Sequence, residues 1–380
     1  MKQQAYNESG VSLGMTDLSR SFHQELLKEE DKSWLREQNT KVMKQAIRQM
    51  LHSYDNFFKL HTGYPKFKAK KGRQSALFPL EAISKKNTFE TRHITLTKGL
   101  TLKFRCSDLY LSRLREHRDR IRSATLSKTK SGNYFLSVLM DIPEHELVRF
   151  QHTRRHVGID MGVKDFIVTS DGEVFGNKHF LKNAELKIKK LQKRLSRKKP
   201  ASANSEKARV KLAKANERLC NQREAYIHEV ANALLSENDI VFMEDLNVQG
   251  MLRNHKLARA IAEVGFYRFR SVLEDKASVN CKEVVRVGRW YASSKTCSVC
   301  GYVYKGLTLA ERHWDCPVCG ASHDRDANAA VNILMEGERI IGSRTPEYKP
   351  VERPTVDDRQ TSALRSRVPA KQEVENPRFS

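Results

Sequence analysis

The stretch HVGIDMGVKDFIVTSDGEVF, His156 to Phe175, decides how the rest of the chain is read. Its first half is an apolar strand that carries an acid, Asp160. A second apolar strand follows, and an Asp171-Gly172 turn leads into a third. A carboxylate inside an apolar strand costs free energy unless it has a partner or a task. Downstream, DIVFMEDLNV (Asp239 to Val248) places a second apolar strand directly before Glu244. A helix over Ala258–Asn280 and a strand in CKEVVRVGRWYAS (Cys281 to Ser293) come next. Asp326 then opens a short alanine-rich helix, Ala327–Leu334.

The order from Val157 to Leu334 is hairpin strands, helix, strand, helix, strand, helix. It fits an α/β, RNase H-like core. Acids on adjacent strands and at one helix start can converge on one or two Mg²⁺ or Mn²⁺ ions, which suit hard oxygen donors. Singly, each acid has a plainer reading. Asp326 reads as a helix N-cap, and Glu244 with Asp245 as a solvated strand end.

Between the last strand and the last helix lie Cys297, Cys300, Cys316 and Cys319, spaced C-x2-C-x15-C-x2-C. That spacing brings four thiolates round Zn²⁺, with Gly301 and Gly320 one residue beyond each pair, where a tight knuckle needs glycine. Four thiolates close the coordination sphere, so the expected zinc is structural. The remaining cysteines, Cys106, Cys220 and Cys281, are scattered, which argues for a reducing compartment over a disulfide framework.

Lys and Arg outnumber Asp and Glu by 69 to 45 in 380 residues, a net charge of +24. Such an excess calls for a polyanionic partner, and nucleic acid in a cytoplasm is the reading it favours. No apolar run reaches the ~20 residues of a membrane-spanning helix. The charge is concentrated in two places. Lys66, Lys68, Lys70 and Lys71 interleave with Tyr64 and Phe67, a mixture suited to phosphate contact and base stacking. Lys189, Lys190, Lys193, Arg194 and Arg197 belong to a run of nine basic residues and one acid over 182–199. That run covers an apolar stripe of Ala184, Ile188, Leu191 and Leu195. The stripe resumes from Ala208 after a Pro200 break, so residues 182–235 read as a helical hairpin, basic outside. A solvated loop and a solvated helix pair remain open readings of the two patches.

Upstream, residues 1–76 read as a helical segment. Val42, Ala46, Met50, Tyr54 and Phe57 form a stripe expected to pack in a core. Residues 77–150 read as a small β-rich module with a hairpin at Ser131-Gly132-Asn133. The core runs over 151–292, the zinc ribbon over 293–322 and the final helix over 323–336. Residues 337–380, polar and proline-rich, read as a disordered tail.

Together GIDMGVKDFIVTSDG, VFMEDLNV and TCSVCG…CPVCGASHDRDANAAVNIL resemble the TnpB proteins of bacterial insertion sequences, also known as OrfB transposases and related to compact type V CRISPR effectors. SLGMTDLSRSF, GYPKFKAKK and SGNYFLSVLMDIP extend the resemblance over most of residues 10–336. It implies an RNA-guided, RuvC-like DNA endonuclease that carries a guide RNA from the transposon end and cuts double-stranded DNA beside a short motif. By motif, Asp160, Glu244 and Asp326 are implied as the catalytic acids and magnesium ligands, with Asp324 next in line. The 77–150 module is implied as wedge-like and 1–76 as a recognition segment. Members open with a basic-aromatic strand and helix ahead of the counterpart of residues 10–30, so the chain is expected to be short at its start. Charge and cysteines alone serve equally a nucleic-acid-binding protein without cleavage, such as a repressor, or a transposase that needs no RNA.

Overall fold

The computed structural model describes residues 2–22, 24, 30, 39–66, 74–97, 99–148, 150–253, 258–308 and 311–343. They divide into two compact units at Ile142/Pro143. In the first, α1 (Lys2–Ser9), α2 (Met15–Ser21) and α3 (Thr40–Leu60) precede β1 (Gln74–Pro79), β2 (His93–Thr97), β3 (Leu100–Lys103), α4 (Asp108–Glu116), β4 (Ile121–Lys128) and β5 (Tyr134–Met140). Strands β1, β4 and β5 form an antiparallel sheet in that order, and β2 pairs with β3. Phe78, Phe89, Ile94, Leu96, Phe104 and Ile121 are buried between them. Asn39 caps α3 by accepting from the Lys41 and Val42 amides. Val42 packs on the core, but Ala46 and Met50 are exposed, so the α3 stripe is not the core face that its spacing suggests. The hydrogen bonds that dock the helix sit at its first turn, from Asn39 to Thr97 and from Lys41 to the Glu81 carbonyl.

The second unit begins with α5 (Glu144–Leu147). The stretch that opened the sequence reading becomes β6 (His156–Asp160), β7 (Asp165–Thr169) and β8 (Val174–Gly176). Then follow α6 (Phe180–Ser196), α7 (Ala203–Glu237), β9 (Ile240–Glu244), α8 (Val248–Leu252), α9 (Ala258–Val264), α10 (Phe266–Val279) and β10 (Glu283–Val287). Last come β11 (His313–Asp315), β12 (Ser322–Asp324) and α11 (Arg325–Ser343). Five strands form one mixed sheet in the order β10-β9-β6-β7-β8, with β10, β9 and β6 parallel and β7 antiparallel to both of its neighbours, β6 and β8. The small β11-β12 pair stands apart.

Side chains alternate faces along a strand, and the packing partners follow that period. Val157 and Ile159 of β6, with Val241 and Met243 of β9, pack against Ile227, Ala231 and Leu235 of α7 and Phe269 and Leu273 of α10. Phe242, Val285 and Val287 face the other way, against Ile333 of α11. Both faces are therefore covered, as a parallel sheet requires. Gly158 lies on the α11 side, where a Cβ would stand 2.2 Å from the Ala330 carbonyl oxygen. The helix touches the strand backbone because this position has no side chain. Gly337 repeats the device one strand over, against the Phe242 ring. Ile340 and Ile341 join the same core. The helix thus continues to Ser343, and residues 337–343 depart from the disordered tail expected from 337. The rest of that stretch, 344–380, lies outside the described residues.

Candidate functional site

The same two-residue period places the acids. Asp160 is two residues beyond Gly158, and Glu244 two beyond Phe242, so both belong to the sheet face that α11 covers. The two strands are adjacent and parallel, with Ile159 opposite Met243. Each acid is the last residue of its strand. The carboxyl ends of parallel strands are where α/β sheets hold their ligands. Asp326 stands in the first turn of α11, on the same side.

The electrostatics of Asp160 reflect its neighbours. Burial first, then the charges of Glu244 and Asp326, push the Asp160 carboxyl up to about 7, against Arg325 and the Met161 amide, which pull it down. Burial also raises Glu244, while the Ser293 hydroxyl, donating to its Oε1, lowers it. Asp326 is gripped by Arg312, whose Nη1 reaches Oδ1 at 3.1 Å and Oδ2 at 2.8 Å.

The helix cap is not Asp326. Asp324 Oδ1 accepts from the amides of Asp326 (3.0 Å) and Ala327 (2.9 Å). The plain reading of Asp326 as an N-cap is thereby corrected: the capping task falls to Asp324 and leaves the Asp326 side chain for the site. Ser293 and Arg312 drew no attention in the sequence. Neither has a spacing signal, since one meets Glu244 from 49 residues away and the other meets Asp326 across the β11-β12 turn.

Beside the acids, four thiols gather. Cys297 and Cys319 sulfurs are 3.6 Å apart, as are those of Cys300 and Cys316, and all four lie within 4.8 Å of one another. A tetrahedral site with Zn–S bonds of about 2.3 Å spaces its sulfurs by about 3.8 Å, so the cluster fits a structural zinc. Both knuckles close through glycines in the left-handed region, Gly301 at φ +76° and Gly320 at φ +74°. Their amides donate to the Cys297 and Cys316 carbonyls at 2.9 and 2.8 Å. His323 packs on Trp314, with its Nε2 3.0 Å from the Cys297 sulfur. The carboxylates stand more loosely. Among the described residues, the sets of three or more donors within 4.8 Å of one another include the four thiols and not the three acids.

Two asparagines of α11 join the two sites. Asn328 donates to the Thr296 carbonyl (2.7 Å) and accepts from the Ser298 amide (3.0 Å). Asn332 donates to the carbonyls of Ser293 (2.8 Å) and Thr296 (2.6 Å). One helix therefore holds the backbone leading into Cys297 and also carries Asp326.

The basic residues lie elsewhere on the chain. Lys189, Lys190, Lys193 and Arg194 are exposed on α6, with Arg197 just past its end. Lys189 and Arg259 share the Glu185 carboxylate. Lys66 is exposed beyond α3, while Lys68, Lys70 and Lys71 lie outside the described residues.

This arrangement puts three carboxylates near one another at the strand ends of a mixed α/β unit, with a cluster of four thiols next to them. Comparison with known proteins agrees. Residues 137–255 match the family model described as "Probable transposase" (OrfB_IS605), and residues 266–333 match "Cas12f1-like, TNB domain". A "Putative RNA-guided DNA endonuclease" of Streptomyces pristinaespiralis is 35% identical over 311 residues, 82% of this chain and 74% of that one. "Putative RNA-guided DNA endonuclease InsQ" of Escherichia coli (strain K12) is 26% identical over 324 residues, 81% and 77% of the two chains. Among solved structures, a Cas12f1–sgRNA–target DNA complex has a chain that aligns with a TM-score of 0.51 at 15% identity, covering 88% of this chain and 81% of that one. That likeness is one of fold. The chain belongs to the TnpB family.

Proposed function

We propose that the protein is an RNA-guided, metal-dependent DNA endonuclease encoded by a transposable element, with a RuvC-like Asp-Glu-Asp site. The observation that carries the reading is the placement of Asp160 and Glu244 at the ends of adjacent parallel strands on one sheet face, with Asp326 in the first turn of the helix that covers it; burial, then the charges of Glu244 and Asp326, raise the Asp160 carboxyl. Three carboxylates, with Arg312 and Arg325 paired to Asp326, form a donor set suited to Mg²⁺ or Mn²⁺. When bound there, such an ion lowers the pKa of an attacking water and stabilises the leaving oxygen of a phosphodiester. The protein's part is orientation. Ser293 fixes the Glu244 carboxylate, and Arg312 holds Asp326 and adds a cation beside the position of a phosphate.

On this reading the core of residues 151–292 is RNase H-like, the ribbon 293–322 is inserted before the last core helix, and zinc braces it through Cys297, Cys300, Cys316 and Cys319. Segments 1–76 and 77–150 serve as recognition and wedge-like parts for guide RNA and target duplex. Lys66, Lys68, Lys70 and Lys71 contact nucleic acid there, and Lys189, Lys190, Lys193, Arg194 and Arg197 do so on the helical hairpin. The place of work is the cytoplasm, on nucleoid DNA. The test is cleavage of a matching duplex by the purified protein with its co-purified RNA and Mg²⁺. Asp160→Ala is expected to lower the rate by about a thousandfold or more, as loss of one member of a cooperating set does. Cleavage that persists in this variant removes Asp160 from the site.

A further inference from the structure

Glu244 and Asp245 are neighbours in the chain that serve opposite faces of the sheet. Glu244 belongs to the face that α11 covers. Asp245 is met from the other face by Arg270 of α10, whose Nη1 donates to Oδ1 at 3.1 Å. The Asp245 amide donates to the Val287 carbonyl at 3.2 Å and carries the β9–β10 ladder one step past the end of β9. Backbone and side chain of Asp245 are therefore both fixed, yet its carboxylate lies on the opposite face from Glu244.

Asp245 holds the start of the connection that runs from β10 to Cys297. Arg289 donates to it twice, from Nε to the Asp245 carbonyl at 3.2 Å and from Nη2 to Oδ2 at 3.0 Å. Arg286 of β10 stands 3.6 Å from the same carboxylate. From Gly288 the chain turns, with the Tyr291 amide donating to the Gly288 carbonyl at 3.0 Å. It returns to the sheet at Ser293, which is buried and whose hydroxyl donates to Glu244. Asn332 of α11 donates to the Ser293 carbonyl at 2.8 Å. Two consecutive acids thus pin two residues of one loop, Asp245 taking Arg289 and Glu244 taking Ser293. A guanidinium that forks onto a carboxylate and a carbonyl fixes direction as well as distance. A short hydroxyl reaches its partner only when the backbone beneath it is set, since a hydrogen bond weakens steeply with angle.

We infer that Asp245 is a positioning residue for the acid site: by holding Arg289 it sets the loop 289–293 so that Ser293 meets Glu244. Asp245 acts through the loop and not on the metal, because its carboxylate is taken up by guanidiniums on the far face. The inference rests on the proposed nuclease reading for its effect on cleavage, and on the loop alone for its effect on structure.

The test is a double-mutant cycle in the full-length protein with its co-purified RNA. It is read in two ways: as cleavage of a matching duplex over a Mg²⁺ titration, and as hydrogen exchange of the amides of residues 288–296. Asp245→Asn keeps the shape but leaves Arg270, Arg286 and Arg289 without the anion they share. Contacts behind a metal ligand are worth about 10–100-fold in metal affinity or activity. Asp245→Asn and Ser293→Ala are each expected to raise the Mg²⁺ needed for half-maximal rate by about tenfold. The double variant is expected to match either single one, because residues acting through one contact do not add. Arg289→Ala breaks the same link from its other end, and the same shift is expected should Asp245→Asn fold poorly. Arg286→Ala takes a charge from Asp245 without freeing the loop and is expected to change nothing. A double variant shifted by the product of the two single effects overturns the inference, and so does an Arg286→Ala shift equal to that of Asp245→Asn. Exchange at 288–296 that is unchanged in Asp245→Asn overturns it whether or not the protein cuts. Faster exchange there, in a protein that cuts no target, supports the anchoring of the loop and removes the nuclease reading instead.

Discussion

The two donor clusters of the second unit lie side by side and are assembled in opposite ways. The thiols come from two short knuckles within 23 residues, each closed by its own glycine and its own backbone hydrogen bonds. The carboxylates come from two strands and a helix spread over 167 residues, and nothing local brings them together. A soft, closed site is thus built by the chain around itself. The hard, open site is a by-product of the whole sheet being right. Damage to the first should stay local, and damage to the second should arise from positions that touch no acid.

The largest effect is expected at the thiols. Structural zinc contributes about 10–16 kcal/mol of apparent binding free energy in small zinc domains. Cys316→Ser should abolish stoichiometric zinc by elemental analysis and open the stretch between Cys297 and Cys319 to protease, while the far-ultraviolet helix signal stays largely intact. A fully zinc-loaded variant with a protected ribbon breaks the comparison.

Gly158→Ala tests the opposite side of it. The added Cβ would meet the Ala330 carbonyl oxygen at 2.2 Å, a backbone atom of a packed helix, so α11 must shift. Overpacking of this kind costs about 3 kcal/mol, which calorimetry reads as a melting temperature lowered by about 6–12 °C. Cleavage should fall as well, because Asp326 moves with α11. A variant that keeps both melting temperature and activity shows the contact to be softer than it looks. The smallest effect belongs to Ser293→Ala, which removes one hydrogen bond to Glu244. Supporting contacts of this sort are worth about 10–100-fold in metal affinity or activity, and tenfold less cleavage with unchanged melting is the expected result.

What could be read without coordinates follows the same division. The thiols were legible because their order along the chain is their order in space. Asp160 and Glu244 were legible because an acid that ends an apolar strand is conspicuous, and the strand period puts both on one face. The roles of Asp324 and Asp326 were not separable, since two aspartates at a helix start look alike until one is seen capping it. Arg312 and Ser293 were invisible as site residues: an arginine and a serine in polar loops carry no signal until the sheet sets what they face. The α3 stripe misled because a period of 3.6 says which residues share a face and not what that face meets.

Helix α11 carries a further consequence. Asp326 lies near the acids, Asn328 and Asn332 hold the turn leading into Cys297, Ala330 rides on Gly158, and Gly337 rides on Phe242. These tasks are set out along one rod whose residues turn by about 100° each. Inserting or deleting a single residue between Asp326 and Gly337 would rotate one group of contacts away from the other. The interval between them is a gauge, and its length matters to the proposed site as much as the acids themselves.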